Sequence, residues 1–150
     1  MRRICVFLVL LGFLVTGGMF AQDRGFGLGI ILGEPTGLDF KAWTGSRSAF
    51  VGAAAWSFGE EDSLHMHLDY VFHNFRLIKL ERDFLPVYYG IGVRMKSEKD
   101  VRMGVRIPFG LNYMFEKAPL DIFVELVPVF DLTPRTDLYF NGGVGIRFYF

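Results

Sequence analysis

The sequence predicts an all-β protein that folds as a single up-and-down barrel of eight antiparallel strands. Three observations lead to this fold class. The chain of 150 residues suits one domain and is rich in Phe and Gly, with 17 and 18 copies. Apolar residues recur at every second position from Gly25 to Phe150, which is the period of a β-strand. Seven breaks, most of them clusters of turn-forming residues, divide this region into eight segments.

The first 21 residues are typical of a secretory signal peptide. Arg2 and Arg3 precede an apolar run from Ile4 to Val15, and small residues lead to Ala21. This run is shorter than the ~20 residues that a membrane-spanning helix needs. We therefore predict a cleavable signal peptide at 1–21 and a mature barrel at 22–150, and the single cysteine of the chain falls in the removed part.

The charge balance excludes one class of partner. The chain has 16 Lys and Arg residues against 16 Asp and Glu residues, so it lacks the basic surplus of a nucleic-acid-binding protein. No second apolar stretch in the sequence reaches the length of a transmembrane helix. A mature chain that enters a membrane is therefore expected to do so with strands.

Turn signals such as Gly33-Glu34-Pro35-Thr36 bound the strands. The strands are predicted at 25–32, 37–43, 49–58, 64–73, 84–95, 101–115, 120–130 and 137–150. Residues 74–83 either extend the fourth strand or form a longer turn. Pro86, Pro108 and Pro128 fall within strands, where proline removes a hydrogen-bond donor. We therefore expect bulges or interrupted pairing there, above all where the sixth and seventh predicted strands meet.

Each predicted strand has an apolar face and a polar face. The apolar faces contain eleven Phe residues and Trp56, and none of their residues is charged. The interior of an eight-stranded barrel is only just wide enough for side chains to fill, so this bulky set must point outward. The charged and histidine side chains expected inside are Asp39, Lys41, His65, His67, Asp69, Arg94, Arg102, Arg106, Asp121, Glu125 and Arg147.

A barrel that is apolar outside and charged inside suits a lipid bilayer. The inward charges are predicted to form ion pairs and hydrogen bonds that close the lumen. Two alternatives have different requirements: a soluble periplasmic barrel of the lipocalin type needs apolar residues inside, and a small-solute pore needs an open lumen. Residues expected in the aromatic girdles at the membrane surfaces include Phe58, Tyr70, Phe72, Tyr113, Phe115 and Phe148.

One group of polar residues is a candidate metal site. His65, His67, Asp69 and His73 share one face of the fourth predicted strand, and imidazole is a ligand for Zn²⁺ and Cu²⁺. Their spacing matches no strong zinc motif, so we interpret them as part of the luminal network. Accordingly, we predict no metal and no cofactor, with His65 and His67 as the weak candidates for a metal site.

A lipid-modifying enzyme is the alternative from another functional class. Ser57, Ser63 and His65 lie near one hairpin and include a nucleophile and a base. No motif selects these residues, and we therefore predict that the protein is not an enzyme.

The last strand, from Leu138 to Phe150, alternates apolar residues and closes on Tyr149-Phe150. It resembles the C-terminal assembly signal of bacterial outer-membrane barrels. The mature region is similar to small eight-stranded barrels of the OmpX and OmpA transmembrane type. It is closer still to an uncharacterised family of exported barrels of spirochaetes and other diderm bacteria. The stretches that carry this second likeness are 29–37, 88–92 and 104–110.

This resemblance implies a location and partners but no chemistry. It implies export by the general secretory route and insertion into the outer membrane. With an even number of strands, we expect both termini in the periplasm. The expected partners are outer-membrane lipids, periplasmic chaperones and the barrel-assembly machinery. We expect a monomer with a structural role in the cell envelope.

Overall fold

The computed structural model describes residues 25–33, 36–57, 63–133 and 135–150. The predicted signal peptide at 1–21 lies outside these residues. The strands are β1 (Phe26–Gly33), β2 (Gly37–Trp43), β3 (Ser48–Ser57), β4 (Ser63–Asn74), β5 (Val87–Ser97), β6 (Val101–Arg106), β7 (Phe109–Met114), β8 (Leu120–Thr133) and β9 (Asp137–Tyr149). No helix among the described residues is long and apolar enough to cross a membrane.

The nine strands form one antiparallel sheet that closes into a ring. β1 pairs with β2 on one side and with β9 on the other, so the first and last strands complete the wall. β6 and β7 both pair with β5 and with β8, and they therefore share one position in the ring. The wall has eight positions, which confirms the predicted barrel, although the sixth predicted strand is divided into two.

The division of this strand lies at Ile107 and Pro108. The pairing with β8 keeps the same register on both sides of the gap, from Arg106↔Val129 to Phe109↔Leu126. The register shift, a β-bulge, occurs instead between Met103 and Gly104. The structure thus confirms interrupted pairing at the meeting of the sixth and seventh predicted strands, but the prolines themselves introduce no bulge there.

Two prolines account for the interruption. Ile107 donates its amide hydrogen to the carbonyl of Pro128 at 3.0 Å, and Gly90 donates to the carbonyl of Pro108 at 3.1 Å. Neither proline has an amide hydrogen to return to the opposite strand. Each of these two residue pairs therefore has one backbone hydrogen bond where a regular antiparallel pair has two.

The two ends of the barrel differ in their connections. The end at which β1 begins and β9 finishes, here called the terminal end, contains the connections 44–47, 75–86 and 115–119. The opposite end, called the far end, contains 34–36, 58–62, 98–100 and 134–136. The ambiguous residues after β4 form a long turn at the terminal end, with isolated bridges from Lys79 to Phe84 and from Phe84 to Met114.

The outer face of the barrel is a belt of exposed apolar side chains. Ile30, Leu38, Ile91, Val124 and Phe140 are examples, each about half or more exposed. Aromatic rings cluster toward the terminal end, with centroids 4.9–6.4 Å apart. These pairs are Phe26–Phe40, Phe50–Tyr70, Tyr70–Phe72, Phe72–Tyr89, Tyr113–Phe115 and Phe148–Phe150. Of the predicted girdle residues, Phe58 lies outside the described part of the chain.

A smaller apolar cluster lies inside the barrel beside the charged groups. It comprises Ile31, Ala49, Val51, Ala53, Val71, Tyr88 and Phe123. The Phe123 ring lies directly against Gly145 of β9, where an added Cβ atom would collide with the ring. Glycine at this position therefore makes room for the one phenylalanine in the cluster.

Candidate functional site in the charged lumen

The lumen of the barrel is filled with buried charged side chains. Nine ionisable residues of the acidic, lysine and arginine types are at most 7% exposed: Asp39, Lys41, Asp69, Arg94, Arg106, Asp121, Glu125, Asp131 and Arg147. Five carry carboxylates and four carry cations, so the opposite charges nearly balance. Burial of unpaired charges is very costly, and each of these groups therefore needs a close partner.

Lys41 lies at the centre of the part of the network nearest the terminal end. Its Nζ donates to Oδ1 of Asn112 at 2.7 Å and lies 2.7 Å from Nε2 of His73. An oxygen of the Asp121 carboxylate lies 4.0 Å from the same atom. The same ammonium group lies 4.2 Å from the centre of the Trp43 ring, within range of a cation–π interaction.

The contact between Lys41 and Asn112 crosses the whole lumen. Lys41 is on β2 and Asn112 is on β7, which are four positions apart in a ring of eight. No other pair of wall positions is more distant. A hydrogen bond between these two residues can form only if the side chains meet near the barrel axis.

Arg147 of the last strand joins two carboxylates. Its Nε and Nη2 donate to the oxygens of Asp39, and its Nη1 lies 3.4 Å from both oxygens of Asp121. The guanidinium carbon is 3.8 Å from the centre of the Phe123 ring. Tyr149 donates its hydroxyl hydrogen to Asp121 as well. Planar guanidinium groups suit this simultaneous recognition of carboxylates and stacking on a ring.

Arg106 occupies the middle of the lumen and is fully buried. Its Nε lies 3.0 Å from Oδ1 of Asp69, and its Nη2 donates to Glu125 at 3.3 Å. Its Nη1 lies 2.6 Å from Nδ1 of His67. Tyr88 donates to the second oxygen of Glu125 at 2.8 Å. One guanidinium thereby connects three strands of the wall.

The cations fix the protonation of two histidines. Lysine and arginine side chains only donate hydrogen bonds, so Nε2 of His73 and Nδ1 of His67 must accept. His73 then carries its hydrogen on Nδ1, which lies 3.0 Å from the carbonyl of Arg47. His67 carries its hydrogen on Nε2, which lies 3.9 Å from Asp69. Both imidazoles are therefore neutral members of the network.

Arg94 and Asp131 form a bidentate ion pair toward the far end. Nη2 of Arg94 lies 2.8 Å from each oxygen of Asp131, and Nε lies 3.1 Å from Oδ1. The guanidinium also lies 5.6 Å from the centre of the Tyr139 ring. This fork geometry is the strongest form of contact between arginine and a carboxylate.

His65 and Arg102 lie closer to the far mouth and are half-buried. The His65 ring is edge-on to His67, with centroids 6.3 Å apart. Arg102 has no ion-pair partner among the described residues. The structure therefore places these two predicted members beside the buried network, whereas the other nine predicted members lie within it.

The histidines of β4 do not converge on one point. His73 contacts Lys41 and His67 contacts Arg106, so their ring nitrogens are occupied in different parts of the lumen. Within the described ranges, no group of three or more His, Cys, Asp or Glu side chains could hold a metal ion.

The serine and histidine candidates for lipid chemistry lie at the far end. Ser57 and Ser63 are opposite each other where β3 and β4 meet. The side chain of Ser57 is not among the described features. Nε2 of His65 is buried and has no hydrogen-bond partner among the described residues. Among the described residues, no hydroxyl group is therefore hydrogen-bonded to this nitrogen.

Sequence reasoning missed three groups that complete the network. The seventh predicted strand ends at 130 and so leaves out Asp131, whereas β8 continues to Thr133. Tyr88 shares the inward parity of Arg94 on β5 but is aromatic, so its polar hydroxyl was overlooked. Tyr149 was interpreted only as part of an assembly signal, yet its hydroxyl points to Asp121. The alternation of inward and outward positions along a strand is the signal that could have identified Tyr88 and Tyr149 as luminal residues.

Comparison with known proteins supports the fold. No protein-family model and no curated protein matches the sequence. Among solved structures, the chain is similar to the N-terminal β-barrel domain of Pseudomonas aeruginosa OprF, with a TM-score of 0.61 and 12% sequence identity. The match covers 85% of this chain and 98% of the OprF domain. At this level of identity the likeness shows a common barrel fold.

Proposed function

We propose that this protein is a monomeric outer-membrane β-barrel with a closed lumen and a structural role in the cell envelope. The closed wall and the belt of exposed apolar residues support a membrane location, because a bilayer requires a barrel without free edges and with an apolar exterior. The soluble lipocalin-type alternative needs the reverse arrangement, with its apolar face inside.

The hydrogen bond between Lys41 and Asn112 carries the proposal of a closed lumen. It joins opposite walls, and the pairs centred on Arg106 and on Arg147 fill further parts of the lumen. A water-filled pore needs a continuous path between such groups. Side chains that are at most 7% exposed leave little room for one.

Planar-bilayer recording tests this closure. The purified mature barrel should insert without producing stable conductance steps, at neutral pH and at moderate voltage. Reproducible unitary channels from wild-type protein would contradict a closed lumen and favour the small-solute pore. A matched variant, Lys41→Ala with Asn112→Ala, should raise the frequency of openings, because it removes both ends of the contact across the lumen.

The proposed location and route rest on the sequence pattern together with the fold. The signal at 1–21 would direct export by the general secretory route, and the strand that ends in Phe150 would be recognised by the assembly machinery after transfer by periplasmic chaperones. Phe150 is 60% exposed and its amide donates to the carbonyl of Phe26. Removal of Phe150 should reduce outer-membrane insertion in cells, as measured by heat-modifiable migration in gels. Release of wild-type protein from membranes without detergent would contradict the location.

A further inference from the structure

The connection 75–86 differs from the other two turns of the terminal end. It has twelve residues, whereas 44–47 and 115–119 have four and five. Apart from the bridges that involve Lys79, Phe84 and Met114, it makes no regular pairing. Phe84 is nevertheless bonded to β7, so the connection is a folded part of the terminal end.

Hydrogen bonds fix this connection against β7. Phe84 and Met114 exchange backbone hydrogen bonds of 3.0 and 2.8 Å. The carboxylate of Asp83 accepts from the hydroxyl of Tyr113 and from the amide of Glu116, the latter at 3.0 Å. At its start, Asn74 accepts the amide hydrogen of Arg76 at 2.9 Å. Asp83 is thereby turned toward the wall and away from the rest of the connection.

The side chains left outward on the connection are apolar and basic, apart from that of Glu81, so the exposed charges are three cations against one carboxylate. Leu77, Leu80 and Phe84 are 67%, 43% and 43% exposed. Arg76, Lys79 and Arg82 are exposed as well, and none of the three has an ion-pair partner among the described residues. The only other charged side chains between Phe75 and Pro86 are those of Glu81 and Asp83.

This surface continues the membrane-facing belt. Phe84 bridges to Met114, which precedes the exposed Phe115 of the aromatic cluster at the terminal end. The connection therefore lies where the apolar wall meets the headgroup region of a membrane. Apolar side chains interleaved with Arg and Lys at that depth are typical of elements that bind anionic lipid surfaces.

We propose that the surface formed by Arg76, Leu77, Lys79, Leu80 and Arg82 binds the headgroups of anionic phospholipids in the leaflet at the terminal end. The leucines enter the boundary between headgroups and acyl chains, and the three cations contact phosphate groups. The inference rests on the proposed membrane insertion of the barrel. In the cell envelope, the terminal end would face the periplasmic leaflet.

Boundary-lipid selectivity tests the proposal. The folded barrel is reconstituted in phosphatidylcholine bilayers, and the association of spin-labelled phosphatidylglycerol is compared with that of spin-labelled phosphatidylcholine by electron paramagnetic resonance. The wild-type barrel should prefer phosphatidylglycerol by about twofold at low salt, and 0.5 M NaCl should reduce this preference because salt screens charges at the surface.

Two triple variants separate the connection from the rest of the barrel. Arg76→Gln, Lys79→Gln and Arg82→Gln together should abolish the preference. Lys96→Gln, Lys99→Gln and Arg135→Gln, which remove the same charge from the far end, should retain it. Loss of the preference in both variants, or in neither, would overturn the proposal.

Heat-modifiable migration distinguishes failure of this inference from failure of the proposed function. All three proteins should insert equally into pure phosphatidylcholine vesicles. If wild-type protein does not insert, both proposals fall. If it inserts but shows no salt-sensitive preference, only the lipid site is overturned.

Discussion

Lys41 and Asn112 form a hydrogen bond of 2.7 Å across the full width of the barrel, from β2 to β7. The ammonium of Lys41 also has His73 and Asp121 as neighbours. A single flexible side chain therefore connects four strands of the wall. The two side chains meet near the barrel axis, and the contacts of Arg106 and Arg94 continue the network from there toward the far end. Loss of this contact should therefore weaken the connection between opposite walls.

Substitution Lys41→Met tests this central role. Met has a similar length but no donor, and it leaves Asp121 without one of its cations and Asn112 without its donor. We expect the free energy of unfolding to fall by about 3 kcal/mol, the scale for removal of one partner of a buried ion pair. Urea titration of the barrel in phosphatidylcholine vesicles measures the change. The control Lys117→Met alters an exposed turn and should leave the midpoint unchanged; equal midpoints for the two variants would contradict the prediction.

The strand pattern was sufficient to predict the wall and most of this network. Parity, together with the argument that bulky rings cannot fit inside, predicts that Lys41, Arg106 and Arg147 lie in the interior. Parity specifies the direction of a side chain but not its partner. The meeting of Lys41 with Asn112 depends on the stagger of eight strands around the ring, which no local pattern encodes.

The boundaries of elements were harder to predict for physical reasons. The end of β8 at Thr133 extends past the predicted end because Asp131 pairs with Arg94 and so continues the polar alternation. The bulge between Met103 and Gly104 contains no proline, and Gly104 is one of many glycines in the predicted strands, so glycine alone could not locate it. The connection 75–86 contains enough apolar residues to resemble a strand, yet it folds through contacts with β7 that are distant in sequence.

A double-mutant cycle should reveal the coupling of Arg94 with Asp131. Each single substitution, Arg94→Met or Asp131→Leu, removes one partner of a buried ion pair and should cost about 3 kcal/mol of unfolding free energy. The double variant removes both charges, so its cost should be smaller than the sum by about 2 kcal/mol. The four proteins are compared by urea titration in the same vesicles. Strict additivity would show that the bidentate pair does not contribute as a unit.

Replacing Pro108 by valine should restore a hydrogen bond in the interrupted strand. The carbonyl of Pro108 already accepts a hydrogen bond from the amide of Gly90. Valine at 108 would add the reciprocal bond, from its own amide to the carbonyl of Gly90. We expect the new amide at 108 to be strongly protected in hydrogen exchange. The free energy of unfolding should rise by only about 1 kcal/mol, because loss of the proline ring also gives the unfolded chain more conformational freedom. Exchange as rapid as that of the 98–100 turn would show that the gap persists without the proline.

The pKa of Asp83 offers a test of how the 75–86 connection is held. Hydrogen bonds from the Tyr113 hydroxyl and the Glu116 amide lower this pKa below its ordinary value of 3.8. Because the folded-state pKa is depressed, the stabilisation is fully present above pH 3.8 and is lost as the pH falls through the lower folded value. Carbon-13 NMR of the carboxyl group in micelles should show a midpoint below 3.8 that rises in Tyr113→Phe. A midpoint that does not move in this variant would exclude the hydroxyl as the main cause.

The position of Arg147 in the chain has a consequence for the order of assembly. Asp39 is on β2 and Asp121 is on β8, while their shared guanidinium arrives on β9, the last strand to be synthesised. Asp121 lies opposite Arg147 within the β8–β9 pair, whereas Asp39, on β2, gains this partner only when β9 pairs with β1. Closure of the β1–β9 seam and neutralisation of Asp39 by the last strand are therefore a single event.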